Sequence, residues 1–175
     1  MNLRMIRFLL GRVLMVVGVM MLPSLAVSLF FAEGWHIYKG FLLAIIIALL
    51  AGWLMSRQKP ENEDFYAREG LVLVALSWFS MSIAGALPFI LSGAVPSVVD
   101  ALFESVSGFT TTGASVLRSS LTSLPRSLLF WRSFTLLLGG MGMLVFIIGI
   151  LPSLGHKGIF IMRAELPGPS FGKIE

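Results

Sequence analysis

Cysteine is absent from all 175 residues, which excludes disulfide frameworks, thiolate metal sites and cysteine nucleophiles together. Charge is scarce: 13% of residues are Asp, Glu, Lys or Arg against 57% hydrophobic, whereas a soluble domain carries about 25% charged residues. The two histidines, His36 and His156, fall in different aqueous regions and make no metal-ligand cluster. No Ser/His/Asp constellation is discernible, so the chain reads as neither an enzyme nor the holder of a cofactor. Gly139, Gly140 and Gly142 lie inside an apolar run with no G-K-[ST] after them, which removes a nucleotide loop. The net charge of +4 comes without a Lys/Arg cluster or an interleaved aromatic platform, so nucleic acid is not an expected partner.

What the chain has instead is uncharged length. Val13–Ala32, Gly40–Ser56, Gly70–Val99 and Ser133–His156 contain no Asp, Glu, Lys or Arg. A helix crossing a hydrocarbon core of about 30 Å needs roughly 20 mostly apolar residues. Four such runs predict a polytopic, all-α membrane protein with the lipid bilayer as its solvent. The expected spans are 8–31, 40–56, 70–90 and 128–151. Pro23 falls inside the first, where neighbouring helices can satisfy the freed carbonyl. No small-x-small cleavage site follows before Glu33, so the first span is expected to be retained rather than removed as a signal peptide.

With the N-terminus inside and four spans, nine Lys and Arg residues face the cytoplasm and four face out, as the positive-inside rule requires. Both termini are then cytoplasmic. A fifth span over 98–117 scores the same nine against four, so the decision between the two topologies rests on that segment itself.

Ser97 and Asp100 have the S-x-x-D form of a helix start. Ala101, Leu102, Phe103 and Val106 supply an apolar body, and Gly108 is the expected stop. The predicted helix is about ten residues, roughly 15 Å, half a membrane. Thr110, Thr111, Thr112, Gly113 and Ser115 then suit a lipid-facing helix poorly, and a full crossing would put Asp100 and Glu104 in or near hydrocarbon. A re-entrant hairpin avoids both problems, with 109–117 returning extended. Non-helical backbone at membrane depth survives only inside protein or beside a water-filled cavity. A Thr-Thr-Thr-Gly strand at the negative end of a short helix can turn carbonyl oxygens toward a desolvated cation. Taken alone, the same four residues also read as a polar turn on the outer surface.

The stretch Ala101-Leu102-Phe103-Glu104-Ser105-Val106-Ser107-Gly108-Phe109-Thr110-Thr111-Thr112-Gly113-Ala114 resembles the first pore loop of the Trk/Ktr/HKT superfamily of potassium transporters, nearest the bacterial TrkH type. Leu124-Pro125-Arg126, Phe130-Trp131-Arg132-Ser133, Gly139-Gly140-Met141-Gly142 and Ile150-Leu151-Pro152 are similar to the helix that follows it in that family, in order. Ala164-Glu165-Leu166-Pro167-Gly168-Pro169 is similar to the cytoplasmic link beyond. The resemblance implies two preliminary helices followed by four helix–pore loop–helix repeats, of which this chain holds one. It also implies Thr110, Thr111, Thr112 and Gly113 as this repeat's potassium-binding strand, potassium as the substrate, and Gly113 as the glycine tied to potassium preference. A homodimer and a cytoplasmic nucleotide-binding regulatory subunit in the bacterial inner membrane follow from the same resemblance.

The expected organisation is 1–69 as two transmembrane helices and a cytoplasmic link, 70–155 as the helix–pore loop–helix repeat, and 156–175 as a tail cut short of the family's full length. Four transmembrane helices, one re-entrant pore helix and an extended filter loop make up the expected fold. Asp100 and Glu104 are expected at the pore-helix start, drawing cations to the outer mouth, with Arg126 and Arg132 as candidate partners. Gly139, Gly140 and Gly142 are expected to permit close helix packing. A non-conducting membrane anchor or assembly module is the alternative function.

Overall fold

The computed structural model describes residues 3–60, 67–117 and 124–150, and the predicted tail at 156–175 lies outside them. Among the described residues every regular element is helical: α1 (Leu3–Met20), α2 (Leu22–Phe30), α3 (Trp35–Ser56), α4 (Ala67–Leu91), α5 (Val98–Phe109) and α6 (Arg126–Ile150). Three segments, Leu3–Phe30, Trp35–Ser56 and Glu69–Leu91, are long and apolar enough to cross a membrane. The first comprises α1 and α2. Pro23 stands in the first turn of α2, where its missing N–H does no harm but its ring cannot follow an unbroken helix. Met21, fully buried, is the single residue between the two.

Lipid tails are as apolar as leucine, so helices in a bilayer associate through close packing rather than hydrophobic exclusion. The α1–α3 pair shows how. α3 buries Gly40, Phe41, Ala44, Ile45, Ala48 and Gly52, a stripe at four-residue spacing. Where it crosses α1, a Cβ added to Gly11 would lie 2.5 Å from the Gly52 carbonyl oxygen, and the reciprocal contact is also 2.5 Å. Only two glycines allow backbones this near.

α5 is a short helix that belongs to no long span, 12 residues and about 18 Å. Its start is as the spacing predicts: Ser97 Oγ accepts from the Asp100 N–H at 3.3 Å, and Asp100 lies in the first turn. Its end differs from expectation. The helix continues through Gly108 to Phe109, and the left-handed torsions fall later, at Thr111 (φ 58°) and Gly113 (φ 71°). Gly108 serves proximity instead, since a Cβ there would sit 2.1 Å from Thr135 Oγ1 on α6. α5 lodges between α4 and α6, with its Ala101 and Phe109 buried in the same apolar core as Ala84, Phe89, Leu128 and Trp131.

Candidate functional site

The site is the junction between the end of α5 and the chain that leaves it. After Phe109 the backbone reverses and runs back along α5. The Gly113 N–H donates to the Ser107 carbonyl at 3.1 Å, and Ser107 Oγ donates to the Ala114 carbonyl at 2.6 Å. Three residues earlier on α5, Glu104 accepts from Ser115 Oγ at 2.5 Å and from the Val116 N–H at 2.9 Å. Residues 98–117 therefore form a helix with a return, and the fifth crossing helix weighed from the sequence is not what they make. The return is irregular rather than a strand.

Arg132, from the second turn of α6, closes the arrangement. Its Nε donates to Glu104 Oε2 at 2.7 Å, and its Nη2 donates to the carbonyls of Gly113 at 3.0 Å and Ala114 at 3.3 Å. One guanidinium thus ties a helix, a pore-helix carboxylate and the return segment together, using the planar fork that lysine lacks. The Glu104 side chain is fully buried and that of Arg132 is 17% exposed. This corrects the expectation that Glu104 draws cations at the outer mouth: a buried carboxylate paired to a guanidinium presents no free charge to solvent. Asp100 stays half-buried at the helix start. Arg126, the other candidate partner, lies over the Phe31 ring at 4.4 Å from its centroid.

The four predicted ligand residues, Thr110 to Gly113, are exposed. Thr110 Oγ1 donates to the Val106 carbonyl at 2.8 Å and lies 2.9 Å from Thr112 Oγ1, so the first and third threonines are held together. Among the described residues no donor reaches the carbonyls of Thr110, Thr111 or Thr112. The Gly113 carbonyl differs, being held by Arg132. A β-branched residue at positive φ is uncommon and strained, and such strain gathers at functional sites. The sequence offered only Gly113 for an unusual torsion; Thr111 shares it, and threonine gives no local sign of that.

Three further positions set this geometry. A Cβ on Gly139 would lie 2.0 Å from the Phe109 carbonyl oxygen, so α6 passes against the very end of α5. At Gly140 and Gly142 the nearest atoms would be 3.9 and 3.8 Å away, ordinary contact, and the expected close packing is concentrated at Gly139. Trp131 Nε1 donates to the Gly85 carbonyl at 2.9 Å, and its ring meets Phe109 edge-on at 6.5 Å. Glu33, in the link between α2 and α3, accepts from the Ser127 N–H at 3.1 Å and from Ser127 Oγ, placing a carboxylate at the positive N-terminus of α6. The sequence showed Glu33 only as a lone acid between apolar runs. Below the end of α5, a cavity of about 300 Å3 is lined by Trp78, Phe109, Thr110, Thr111 and Gly139.

A half-length helix held between two long helices, with its chain handed back as hydrogen-bonded irregular backbone, is a helix–re-entrant loop–helix unit of the membrane-protein class. The family described as TrkH, a cation transport protein, matches residues 34–175. The chain belongs to that family. It is 40% identical to the Trk system potassium uptake protein TrkH of Halomonas elongata over 97% of its own length and 35% of that protein's. It is 42% identical to the Salmonella typhimurium protein of the same name, over 87% of this chain and 31% of that one. The crystal structure of the potassium transporter TrkH from Vibrio parahaemolyticus superposes with a TM-score of 0.80 at 32% identity, covering 94% of this chain and 36% of that one. The chain thus spans about a third of the length of these relatives.

Proposed function

We propose that this chain supplies the first of four pore repeats of a potassium uptake protein. The supporting observation is the row of open carbonyls at Thr110, Thr111 and Thr112, set at the C-terminal end of a half-membrane helix. Positive φ at Thr111 and Gly113, with Thr112 between them outside that region, takes these carbonyls out of both helix and sheet ladders and leaves them free to face an ion. Carbonyl oxygens so arranged replace a cation's hydration shell, and the negative end of α5 adds to the attraction. In this scheme Thr110 to Thr112 supply the potassium-binding oxygens. Gly113 supplies the torsion that lets the strand turn back, with its own carbonyl braced by Arg132. Potassium is substrate, and the protein's part is geometry rather than catalysis or a cofactor.

By kinship with the named relatives, the other three repeats complete the ring, the assembly is a homodimer, and a nucleotide-binding subunit docks on the cytoplasmic face. The domain limits expected from the sequence, 1–69, 70–155 and 156–175, belong to this proposal. So does a bacterial inner-membrane location with both termini inside and α6 as the fourth crossing helix.

The test is growth at low potassium of a bacterium lacking potassium uptake, complemented by the complete transporter that carries this repeat. Serine at the φ of Gly113 costs about 1–2 kcal/mol. Gly113→Ser is therefore expected to lower discrimination of potassium over sodium by about tenfold. Unchanged selectivity in both Gly113→Ser and Gly113→Asp overturns the filter and favours a non-conducting anchor whose hairpin serves packing alone.

A further inference from the structure

α1 and α3 carry no acidic residue, yet α1 begins with Arg4, Arg7 and Arg12, and α3 runs out into Arg57 and Lys59. The α1–α3 crossing at Gly11 and Gly52 brings these basic ends together. Three of the five are engaged locally: Arg7 Nη2 donates to Gln58 Oε1 at 2.7 Å, and the Arg57 and Arg12 guanidinium groups each lie 5.2 Å from a ring centroid, that of Trp53 and that of Phe8. Arg12 is exposed, and among the described residues no carboxylate pairs with it.

Arg12 also heads a groove of about 650 Å3 that runs along one face of α1 and is lined by Phe8, Met15, Val16, Val19 and Met20. From Arg12 to Met20 is eight residues, about 12 Å, close to the depth of one leaflet of a 30 Å hydrocarbon core. The groove ends where α1 ends, at the break before Pro23. Its head is a cation at the residue before a charge-free run, and its body is wholly apolar.

We propose that an anionic phospholipid occupies this face, its phosphate paired with Arg12 and one acyl chain lying against Met15, Val16 and Val19. Placing that lipid in the inner leaflet rests on the inward N-terminus of the function proposed above; binding itself does not. Charge complementarity selects the occupant, since a zwitterionic headgroup brings its own cation to the guanidinium and loses the net attraction. Met15 and Met20 in its lining can adapt to a flexible chain.

Native mass spectrometry of the complete protein in detergent tests this with dioleoylphosphatidylglycerol, dioleoylphosphatidylcholine and glycerol 3-phosphate as probes. The glycerol lipid is expected to be retained in preference to the choline lipid. Arg12→Gln is expected to weaken that retention about tenfold, as loss of a charge-assisted hydrogen bond implies, while Arg12→Lys keeps most of it. Val16→Trp, at a 55% exposed position, fills the groove without touching the headgroup and is expected to weaken both lipids. Equal retention of the two lipids, no change in either Arg12→Gln or Val16→Trp, or displacement by millimolar glycerol 3-phosphate each overturns the proposal. Detergent removes any dependence on orientation, so this failure is separate from failure of the potassium reading, which Gly113→Ser decides.

Discussion

The two ends of the chain solve the same bilayer problem differently. In the α1–α3 pair the backbone stays helical where the two elements cross, and two glycines let the axes approach. In the α4–α6 region the chain leaves the helix at Phe109, and from there its polar groups need partners from elsewhere. Ser107, Glu104 and Arg132 supply them, across sequence separations of 7 to 28 residues. Side chains that would be a liability in hydrocarbon become necessary once backbone is unpaired at depth. A functional segment in a membrane is therefore marked less by its own residues than by the polar brace around it.

The sharpest way to break the contrast is to add one carbon on each side. Gly139→Ala drives a methyl toward the Phe109 carbonyl oxygen, 2.0 Å from the unrelaxed position, and both partners are backbone of braced elements. It is expected to abolish uptake by the complete transporter and to lower its thermal unfolding midpoint more than any other substitution considered. Gly140→Ala, with 3.9 Å to spare, is expected to stay close to wild type in both measurements. Gly11→Ala should fall between them: its Cβ meets the Gly52 carbonyl oxygen at 2.5 Å, but an apolar helix pair can slide apart where the braced repeat cannot. Equal effects at Gly139 and Gly140 would show that α6 does not press on the end of α5.

The next effect in size concerns the Arg132–Glu104 pair, and it is asymmetric. Removing one partner of a buried pair costs about 3–5 kcal/mol, because the other charge is left without compensation. Arg132→Gln strands a carboxylate whose side chain is fully buried, whereas Glu104→Gln strands a guanidinium that still has 17% of its surface in solvent and keeps an oxygen for the Val116 N–H. Arg132→Gln is expected to be the more destabilising by at least about 1 kcal/mol, measured as the unfolding midpoint of purified protein in detergent. The double variant Arg132→Leu with Glu104→Gln should recover part of the loss. The reverse order of the two single variants would mean that the guanidinium, not the carboxylate, is the group the fold buries.

Much of the helical architecture was legible because its causes are local. Charge-free runs mark lengths that water does not solvate, and Ser97 with Asp100 marks a helix start; Pro23 was read as tolerated within one span, whereas the helix breaks just before it. The short helix and its return were legible for the same reason: the threonines and Gly113 suit neither lipid nor helix. What failed to show was anything decided by proximity. Gly108 had the look of a helix stop because glycine ends helices, but the demand on it comes from Thr135, 27 positions away, and the helix runs past it. Glu104 had the look of a mouth charge because nothing adjacent neutralises it; its partner is 28 residues on. Glu33 caps a helix 94 residues later. The torsion of Thr111 follows from the hydrogen bonds on either side of it and has no signature in the residue itself.

Glu33 also offers the mildest way to sharpen the contrast, because it joins the two regions. Its carboxylate sits at the N-terminus of α6, accepting from both the backbone and the hydroxyl of Ser127, while its own backbone belongs to the α2–α3 link. Replacing an N-terminal cap of this kind costs about 0.5–2 kcal/mol, and the charge–dipole part is about 0.3–1 kcal/mol of it. Glu33→Gln keeps an acceptor and loses only the charge, so it should lower the unfolding midpoint slightly; Glu33→Ala loses both and should lower it more. If the two regions are coupled through this carboxylate, Glu33→Ala will also weaken the protection of the Val116 amide against hydrogen exchange, since that amide is held by Glu104 and α6 carries Arg132 to the same carboxylate. Protection at the Val116 amide that is untouched by Glu33→Ala would make the α1–α3 pair a passive neighbour, and the brace around the threonines self-sufficient.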